Sequence, residues 1–347
     1  MGLRKGILVL LQLLFVLTAC NRRETSPLLF PETDYLSVSE VKPIEDMPMR
    51  YPFRVRLNDS YLYVMDLHGD EYYCHQFAYP SMKHCRSVAK RGRGPGEFLD
   101  AENIRLNRQG ELWILDANQA KIQGFRAEDD SVFNKISLDK RLIRSLDFAF
   151  YNDSLWIVPD YTGVFRFSIL HPDGSILESR GQIPVQKKDK AIPDLAYAQA
   201  WRSFLDYNPE NGLLAIVTQL GEVVEIYSLP GDSLVKVLYG KEREPRFRYR
   251  AGYAIPDGIM GYSDVFVGKE HIYTLFWGHS FQDIRRNASI EGGNCLRVFD
   301  LAGNPVRQYV LDRYITGFCV DEDKGEIIGL DVNSDWPVVG WKLRVKN

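Results

Sequence analysis

Four aspartates that end strongly apolar segments are the first residues in the sequence that could do chemistry. Carboxylate oxygens gathered at one point are the ligands that calcium takes, so a ring of them could hold Ca²⁺ or another divalent ion. The alternative, which the sequence favours, is that each carboxylate accepts backbone N–H groups of the turn that follows it. The four residues are Asp66, Asp116, Asp160 and Asp331.

Histidines provide the other possible metal ligands. A metal-dependent lyase or hydrolase needs several His, Asp or Glu side chains converging on one ion. The sequence has neither a G-x-S-x-G nucleophile motif nor a Walker-type phosphate loop, so a binding protein is favoured over an enzyme. We therefore predict no cofactor, with a divalent ion as the alternative. The candidate metal ligands are Asp66, His68, Asp116 and His279.

Arginines alternating with aromatic rings form a second set of candidates. Arginine binds carboxylate or phosphate through two parallel hydrogen bonds, and flat rings suit sugar faces or partner side chains. If Arg246-Phe-Arg-Tyr-Arg250 is extended, its arginines lie on one side and its rings on the other. The alternative is that the charges are solvated and the rings fill the core. The predicted ligand-binding residues are Arg91, Arg93, Trp201, Arg202, Arg246, Arg248, Arg250, Trp277, His279 and Arg285.

The N-terminus has the pattern of an export signal. Arg4 and Lys5 precede an apolar run, 7–16, that is too short to span a bilayer. The following Leu17-Thr-Ala-Cys20 resembles the lipobox of bacterial lipoproteins, which implies a signal peptide over 1–19 and a lipid on Cys20. Residues 20–34 would then tether the protein to a membrane of the cell envelope, predicted to be the outer membrane, on its periplasmic or its outer side. The alternative is an ordinary signal peptide with an incidental cysteine.

Four further cysteines are Cys74, Cys85, Cys295 and Cys319. An oxidising compartment permits disulfides. Cys74 and Cys85 flank a turn and would face each other across a hairpin, so we consider a disulfide between them, with free thiols as the alternative. No C-x-x-C spacing supports a zinc or thioredoxin-like site.

The composition indicates a packed, strand-rich protein. Of its 347 residues 45% are hydrophobic and 26% charged, and 19 Tyr and 18 Phe favour strands. The net charge of −3 gives no support for nucleic acid as a partner.

A strand–turn–strand pattern recurs six times. Each copy has a polar turn followed by an apolar strand, which predicts an all-β, six-bladed propeller over 35–347 with four-stranded antiparallel blades. The last copy lacks a fourth strand, and we expect the N-terminal segment Tyr35–Pro43 to supply it and close the ring. Two β-sandwiches are the competing architecture. The second strands are predicted at Tyr61–Asp66, Leu112–Asp116, Leu155–Asp160, Leu213–Thr218, Ile272–Phe276 and Ile327–Asp331.

The second copy is the most regular. Its Gly94-Pro-Gly-Glu-Phe98, Asp116, Lys121-Ile122 and Phe125 resemble an NHL-type propeller repeat, although the usual proline after the phenylalanine is absent. With the lipobox and the looser copies, the chain resembles the TolB-like six-bladed propeller lipoproteins of Bacteroides-type bacteria. That resemblance implies a fold and little about activity.

Loop lengths predict which end of the propeller carries the functional site. One end of the propeller, the short-loop face, holds the loops that join the first strand of each blade to the second and the third strand to the fourth. The segments 91–100, 182–202, 241–261 and 278–294 gather at the other, the long-loop face. Because function usually sits on loops carried by rigid elements, we predict a non-catalytic module that binds an envelope protein, a glycan or an anionic ligand through its long-loop face. The alternatives are a metal-dependent envelope lyase or hydrolase with its site at the channel mouth, and a pure scaffold.

Overall fold

The computed structural model describes residues 28–44, 47–126, 131–142, 144–286 and 291–343. Within them lie six blades, a separate two-stranded hairpin and two short helices. In this part of the chain no helix has the length and apolarity needed to cross a membrane. The predicted signal peptide and Cys20 lie outside the described residues.

The six-bladed propeller is confirmed, and each blade runs outward from the axis as an antiparallel sheet. Blade 1 is β3 Pro52–Leu57, β4 Tyr61–Asp66, β5 Tyr72–Ala78 and β6 Lys83–Lys90; blade 2 is β7 Ala101–Leu106, β8 Leu112–Asp116, β9 Lys121–Phe125 and β10 Val132–Ser137; blade 3 is β11 Ala149–Phe150, β12 Trp156–Pro159, β13 Phe167–Leu170 and β14 Ile176–Arg180.

The second half of the ring repeats this order. Blade 4 is β15 Ser203–Asn208, β16 Leu213–Thr218, β17 Val223–Ser228 and β18 Ser233–Tyr239; blade 5 is β21 Tyr262–Val267, β22 His271–Phe276, β23 Gly293–Asp300 and β24 Pro305–Ile315; blade 6 begins with β25 Phe318–Asp321, β26 Glu326–Leu330 and β27 Val338–Lys342. Between blades 4 and 5 lies the hairpin β19 Phe247–Arg250 and β20 Tyr253–Pro256, and the helices are α1 Asp194–Ala200 and α2 Phe281–Arg286.

The second strands are buried on both faces because neighbouring blades cover them. In Leu112–Asp116 and in Leu213–Thr218 every residue is buried. A strand packed on both sides needs a continuous apolar run, and an amphipathic alternation would leave polar groups inside. This is why the second strands are the part of the fold that the sequence predicts most closely.

The N-terminal strand closes the ring, but over a shorter range than predicted. β2 (Glu40–Lys42) pairs antiparallel with β27 as the outer strand of blade 6. Upstream, β1 (Glu32–Leu36) pairs parallel with β24 and adds a fifth strand to blade 5. The expected single strand Tyr35–Pro43 is therefore split between two blades. Phe30, assigned to the tether, packs edge-on against Phe299 at 5.4 Å, so the ordered domain starts earlier than residue 35.

The structure does not join Cys74 to Cys85. Both are free thiols, Cys74 buried and Cys85 exposed. The register of β5 with β6 places Cys74 opposite Val88. Cys85 has no partner in this register, because it is the extra residue of the bulge where the pairing shifts between Gln76 and Phe77.

Six charged side chains meet where the inner strands converge on the ring axis. The arginines come from blades 1 and 2, and the aspartates from blades 3, 4 and 5. Burying charges is costly unless each is paired and hydrogen-bonded. All are buried or nearly so, the most exposed side chain reaching 14%. The six are Arg54, Arg56, Arg105, Asp147, Asp206 and Asp264.

Arg105 is the most heavily bonded member of this axial network. Its Nη2 lies 2.7 Å from Asp147 Oδ2 and its Nε 3.2 Å from Asp147 Oδ1. Its Nη1 donates to Asp206 Oδ1 at 2.8 Å. Arg56 likewise spans both oxygens of Asp264, at 3.2 and 3.3 Å. These two-pronged pairs supply the charge-assisted hydrogen bonds that burial of the ions requires.

The carboxylates also accept backbone N–H groups from the next blade. Asp147 accepts from Leu205 at 3.0 Å, Asp206 from Val267 at 2.8 Å and Asp264 from Phe318 at 3.3 Å. Arg54 donates to the carbonyl of Ser263 at 2.6 Å and to that of Thr316 at 3.4 Å. The network therefore joins all six blades at the axis.

We expect Asp147→Ala to destabilise the fold by about 3–5 kcal/mol, because it leaves Arg105 buried without its main partner. The measurement is the free energy of unfolding from urea titration of the full chain. Asp323→Ala is the matched control, since Asp323 forms an exposed ion pair with Lys269 at 3.5 Å. Its loss should cost no more than about 1 kcal/mol. Equal effects of the two changes would contradict a structural role for the axial network.

Candidate functional site

The hairpin β19–β20 is the most prominent feature of the long-loop face. Its turn residues Ala251 and Gly252 both have positive φ, 51° and 86°, which matches the tight two-residue turn that joins twisted strands. At its base Phe247 packs edge-on against Tyr197 of α1, with ring centroids 5.5 Å apart. The backbone N–H of Ala254 donates to Gln199 Oε1 at 3.0 Å. Helix α1 thus fixes the hairpin to the propeller.

The extended conformation expected for 246–250 is observed over Phe247–Arg250, where Phe247 is the one half-buried residue. Phe247 faces α1, whereas Arg248 and Arg250 face solvent. Their cross-strand partners are Ile255 and Tyr253 respectively. Tyr253 is 67% exposed, which is unusual for a ring in a folded domain. The outer side of the hairpin therefore presents two arginines and two apolar side chains.

Further apolar side chains are exposed next to α1. Val164 and Leu195 are 58% and 46% exposed, and Phe165 is exposed as well. The loop that carries Val164 touches the start of α1, because a side chain on Gly163 would lie 2.5 Å from the Asp194 carbonyl carbon. We call the combined surface the hairpin patch. It consists of Val164, Phe165, Leu195, Arg248, Tyr249, Arg250, Tyr253 and Ile255.

Trp201, predicted to be a ligand-binding residue, is buried and is not available to a ligand. Its side chain is 1% exposed and packs with Tyr197, Val223 and Tyr239. Its carbonyl accepts a hydrogen bond from Arg166 Nη1 at 2.9 Å. Trp201 follows the last residue of α1, and its ring lies at the junction between blades 3 and 4.

Other predicted residues are dispersed over the long-loop face. Arg91 stacks on Tyr73 at 4.3 Å and donates through Nε to the Gly69 carbonyl at 3.0 Å, which is a structural role. Trp277 and His279 are half-buried beside the outer strands of blade 5, against Gly293 and Tyr314 respectively. Arg202 lies at the channel mouth, as described below. The remaining members, Arg93, Arg246 and Arg285, are exposed.

The predicted metal candidates do not form a site. Asp66 accepts backbone N–H groups of Tyr51 at 2.7 Å and Arg50 at 2.9 Å. Asp116 accepts those of Leu99 at 2.7 Å and Gln119 at 2.8 Å. Over the described ranges, no group of three or more His, Cys, Asp or Glu could hold a metal ion. The turn-capping interpretation of the four aspartates is confirmed by the turns that follow them. His68 donates its backbone N–H to Asp66 at 3.3 Å, Gln119 to Asp116 at 2.8 Å, Thr162 to Asp160 at 2.8 Å and Asn333 to Asp331 at 3.0 Å.

The two histidines of that set pack against tyrosines instead. The ring centroid of His68 lies 5.2 Å from that of Tyr51, and the centroid of His279 lies 5.8 Å from that of Tyr314. The glycine-rich turn 92–96 also has a structural role. Glu97 accepts the N–H of Gly94 at 2.6 Å, and its carboxylate fills the space that a side chain on Gly92 would need.

Glu102 is an unusual carboxyl at the long-loop end of the channel. Burial, together with the neighbouring carboxylate of Asp100, raises the pKa of Glu102 to about 7. Arg202, Arg144 and Arg54 lower it, but less than burial raises it. The group therefore changes charge near neutral pH at a mouth that also holds Arg202.

Two cavities open at the opposite end of the ring, in the short-loop face. The first, which we call the funnel, has a volume of ≈ 1220 Å³ and is lined by the turns between first and second strands around the channel. The second, which we call the groove, has a volume of ≈ 390 Å³ and lies between blades 2, 3 and 4. Sequence reasoning missed both, because the turns that line them are ordinary polar turns. A possible signal was the pair of tryptophans, Trp113 and Trp156, at matching positions of consecutive copies.

Comparison with known proteins identifies the fold. The family model described as TolB-like 6-blade propeller-like matches residues 30–323. A solved structure described as an exported protein of Bacteroides fragilis superposes with a TM-score of 0.58 at 11% identity, covering 91% of this chain and 99% of that chain. A member of the DUF4221 family from Bacteroides vulgatus has a TM-score of 0.56 at 9% identity, covering 90% and 98%. No curated protein matches the sequence.

Glu102→Gln should change the pH dependence of stability. The folded protein holds this proton up to about pH 7, whereas the unfolded chain releases it near about pH 4.3. Folding therefore takes up a proton between these values, and the wild-type protein loses stability as pH rises through that window. The variant should match wild type near pH 4 and exceed it at pH 8 by up to about 4 kcal/mol, since the two pKa values differ by nearly three units and one unit is worth about 1.4 kcal/mol.

Urea titrations of both proteins from pH 4 to pH 8 measure this difference. Glu210→Gln, which removes an exposed carboxylate, is the control for the loss of one charge. A Glu102→Gln difference that does not vary with pH would show that Glu102 does not titrate in this window.

Proposed function

The chain belongs to the TolB-like family of six-bladed propellers, and on that premise we propose that it is a non-catalytic binding module of the cell envelope that engages its partner through the long-loop face. The observation that carries this proposal is the hairpin patch. Six of its members are large apolar side chains between 39% and 67% exposed. Apolar side chains grouped in this way at the surface of a soluble domain mark interaction sites.

The charges of the patch indicate the chemistry of the partner. Arg248 has only a loose partner, Asp257, at 3.6 Å. Arg250, and Arg246 just before the hairpin, have no ion pair with any residue of the described ranges, so their guanidinium groups are free to meet carboxylate or phosphate. Together with Tyr253 and Ile255, these groups suit an envelope protein with an acidic, partly apolar surface, or an anionic glycan.

The rigid ring supports a binding role. The hairpin is held by α1, α1 packs on blade 4 through Tyr197 and Val223, and the blades are joined by the axial network. A surface fixed in this way loses little conformational entropy when it binds. For the alternative, a metal-dependent lyase or hydrolase, no observation offers comparable support, since Asp66 and Asp116 are occupied with backbone groups.

The proposed location rests on sequence and similarity. Leu17-Thr-Ala-Cys20 resembles a lipobox, and one structural neighbour is described as an exported protein. We place the protein in the cell envelope, held by a lipid on Cys20, and in the outer membrane. The protein then meets the membrane through its anchor and its partner through the hairpin patch.

Photo-crosslinking tests the binding surface. With p-benzoylphenylalanine in place of Tyr253, irradiation of cells should give one discrete crosslinked product. The same residue in place of Tyr35, a 74% exposed tyrosine on β1, should give none. Adding Arg248→Glu and Arg250→Glu to the Tyr253 probe should abolish the product, because both cationic contacts are reversed. Identical products from the two positions would contradict the assignment of the face.

Metabolic labelling with a clickable fatty acid tests the anchor. Cys20→Ser should lose the label and move from the membrane fraction to the soluble fraction, because the thiol is the attachment point. Cys85→Ser, which removes an exposed cysteine of the propeller, should keep the label and the membrane location. Retention of label in Cys20→Ser would overturn lipidation at this residue.

A further inference from the structure

We propose that the groove in the short-loop face is a second binding site, and that it takes a neutral oligosaccharide. It lies at the opposite end of the ring from the hairpin patch, so this inference goes beyond the proposed function. Its volume of ≈ 390 Å³ falls in the range of about 300–1,000 Å³ that small-ligand pockets occupy.

Aromatic rings form one wall of the groove. The ring centroid of Trp113 lies 4.5 Å from that of Trp156 and 5.0 Å from that of Phe133. The ring centroids of Phe150 and Trp156 are 4.7 Å apart. Phe133 and Phe150 are half-buried and so keep ring surface open to the groove. The C–H faces of a pyranose ring are apolar and flat, and they stack well on rings of this kind.

Gly124 makes this arrangement possible. It sits opposite Trp113 on the neighbouring strand β9. A side chain there would lie 2.7 Å from the Phe133 ring and 2.9 Å from Trp113 Cε2. The missing side chain lets both rings lie over the strand at the edge of the groove.

The indole N–H of Trp113 lacks an acceptor among the residues that the structure describes. The residue is 4% exposed, and its Nε1 is buried without a hydrogen-bond partner among the described residues. Leaving a buried donor unpaired costs about 1–3 kcal/mol, so an oxygen that reached it would be stabilised there. Phe133, which packs against this indole, lies at a register shift in the outer strand β10, where the ladder is already interrupted. A small rotation of that ring would admit a ligand hydroxyl.

The arginines that line the groove already have carboxylate partners. Arg105 is bound to Asp147 and Asp206, and Glu111 accepts from Asn107 at 2.7 Å. Arg108 and Asp153 face each other across the rim at 4.0 Å. Glu111 keeps its negative charge, because an amide partner does not neutralise a carboxylate. Both lining arginines have a carboxylate partner among the described residues, which favours a neutral ligand over an anionic one.

Uncharged hydrogen-bonding groups remain available along the same rim. Gln109, Asn134 and Ser154 line the groove, and their side chains form no hydrogen bond within the described part of the chain. Amide and hydroxyl groups beside aromatic rings match the alternating hydroxyl and C–H surfaces of a sugar. Because the groove shares Arg105, Leu106 and Arg108 with the funnel, a chain of several sugar units can extend toward the ring axis.

Fluorine NMR of the full chain, labelled with 5-fluorotryptophan, tests this proposal directly. The protein has six tryptophans, and Trp113→Phe assigns the resonance of interest. The probes are cellohexaose, maltohexaose, xylohexaose, mannohexaose and chitohexaose. We expect at least one of them to shift the Trp113 resonance saturably and to leave that of Trp336, which is 43% exposed in another loop, in place.

Two variants separate binding from folding. Trp113→Phe keeps an aromatic ring and removes the N–H, and it should weaken binding of the active hexaose about tenfold, as loss of one good hydrogen bond does. Asn134→Ala alters an exposed side chain of the rim, should fold normally and should also weaken binding. Calorimetric titration with the same hexaose measures both. The proposal is overturned if none of the five probes moves the Trp113 resonance, or if Asn134→Ala binds as tightly as wild type.

Discussion

The axial network of three arginines and three aspartates constrains the rest of this propeller. Because Arg105 bonds to Asp147 and Asp206 while the aspartates accept N–H groups from the following blades, the inner strands are held at fixed registers around the axis. The same side chains fill the centre of the channel. Both proposed binding surfaces lie at the ends of the ring, and Arg56, Arg105 and Asp206 of the network also line the funnel.

The two ends of the ring differ in shape because the connections between strands are short at one end and long at the other. The turns between first and second strands are short and bond to one another, as when Asn58 Nδ2 donates to the Gly110 carbonyl at 3.1 Å. They leave hollows, the funnel and the groove. The connections at the other end carry α1 and the hairpin β19–β20, which project from the ring. One end thus carries the two hollows and the other the exposed hairpin patch.

Local patterns in the sequence predicted the parts of the fold that local chemistry decides. The strand Leu112–Asp116 and the turn-capping role of Asp116 could both be inferred, since an apolar run and a polar turn are adjacent in the chain. The pairing of Arg105 with Asp206 could not, because the two residues are about a hundred positions apart and nothing in either strand marks them as partners. Trp201 was assigned to the surface for a similar reason, since its burial depends on how α1 ends. The groove was missed because it is formed by side chains of separate blades.

Amide hydrogen exchange is the most direct test of the claim that the axis unites the ring. The N–H groups of Leu205, Val267 and Phe318 each bond to a network carboxylate and belong to blades 4, 5 and 6. If the network holds the blades as one unit, all three should exchange only through global unfolding, with the free energy measured by urea titration. Exchange of any of them through a local opening of distinctly lower free energy would contradict this account.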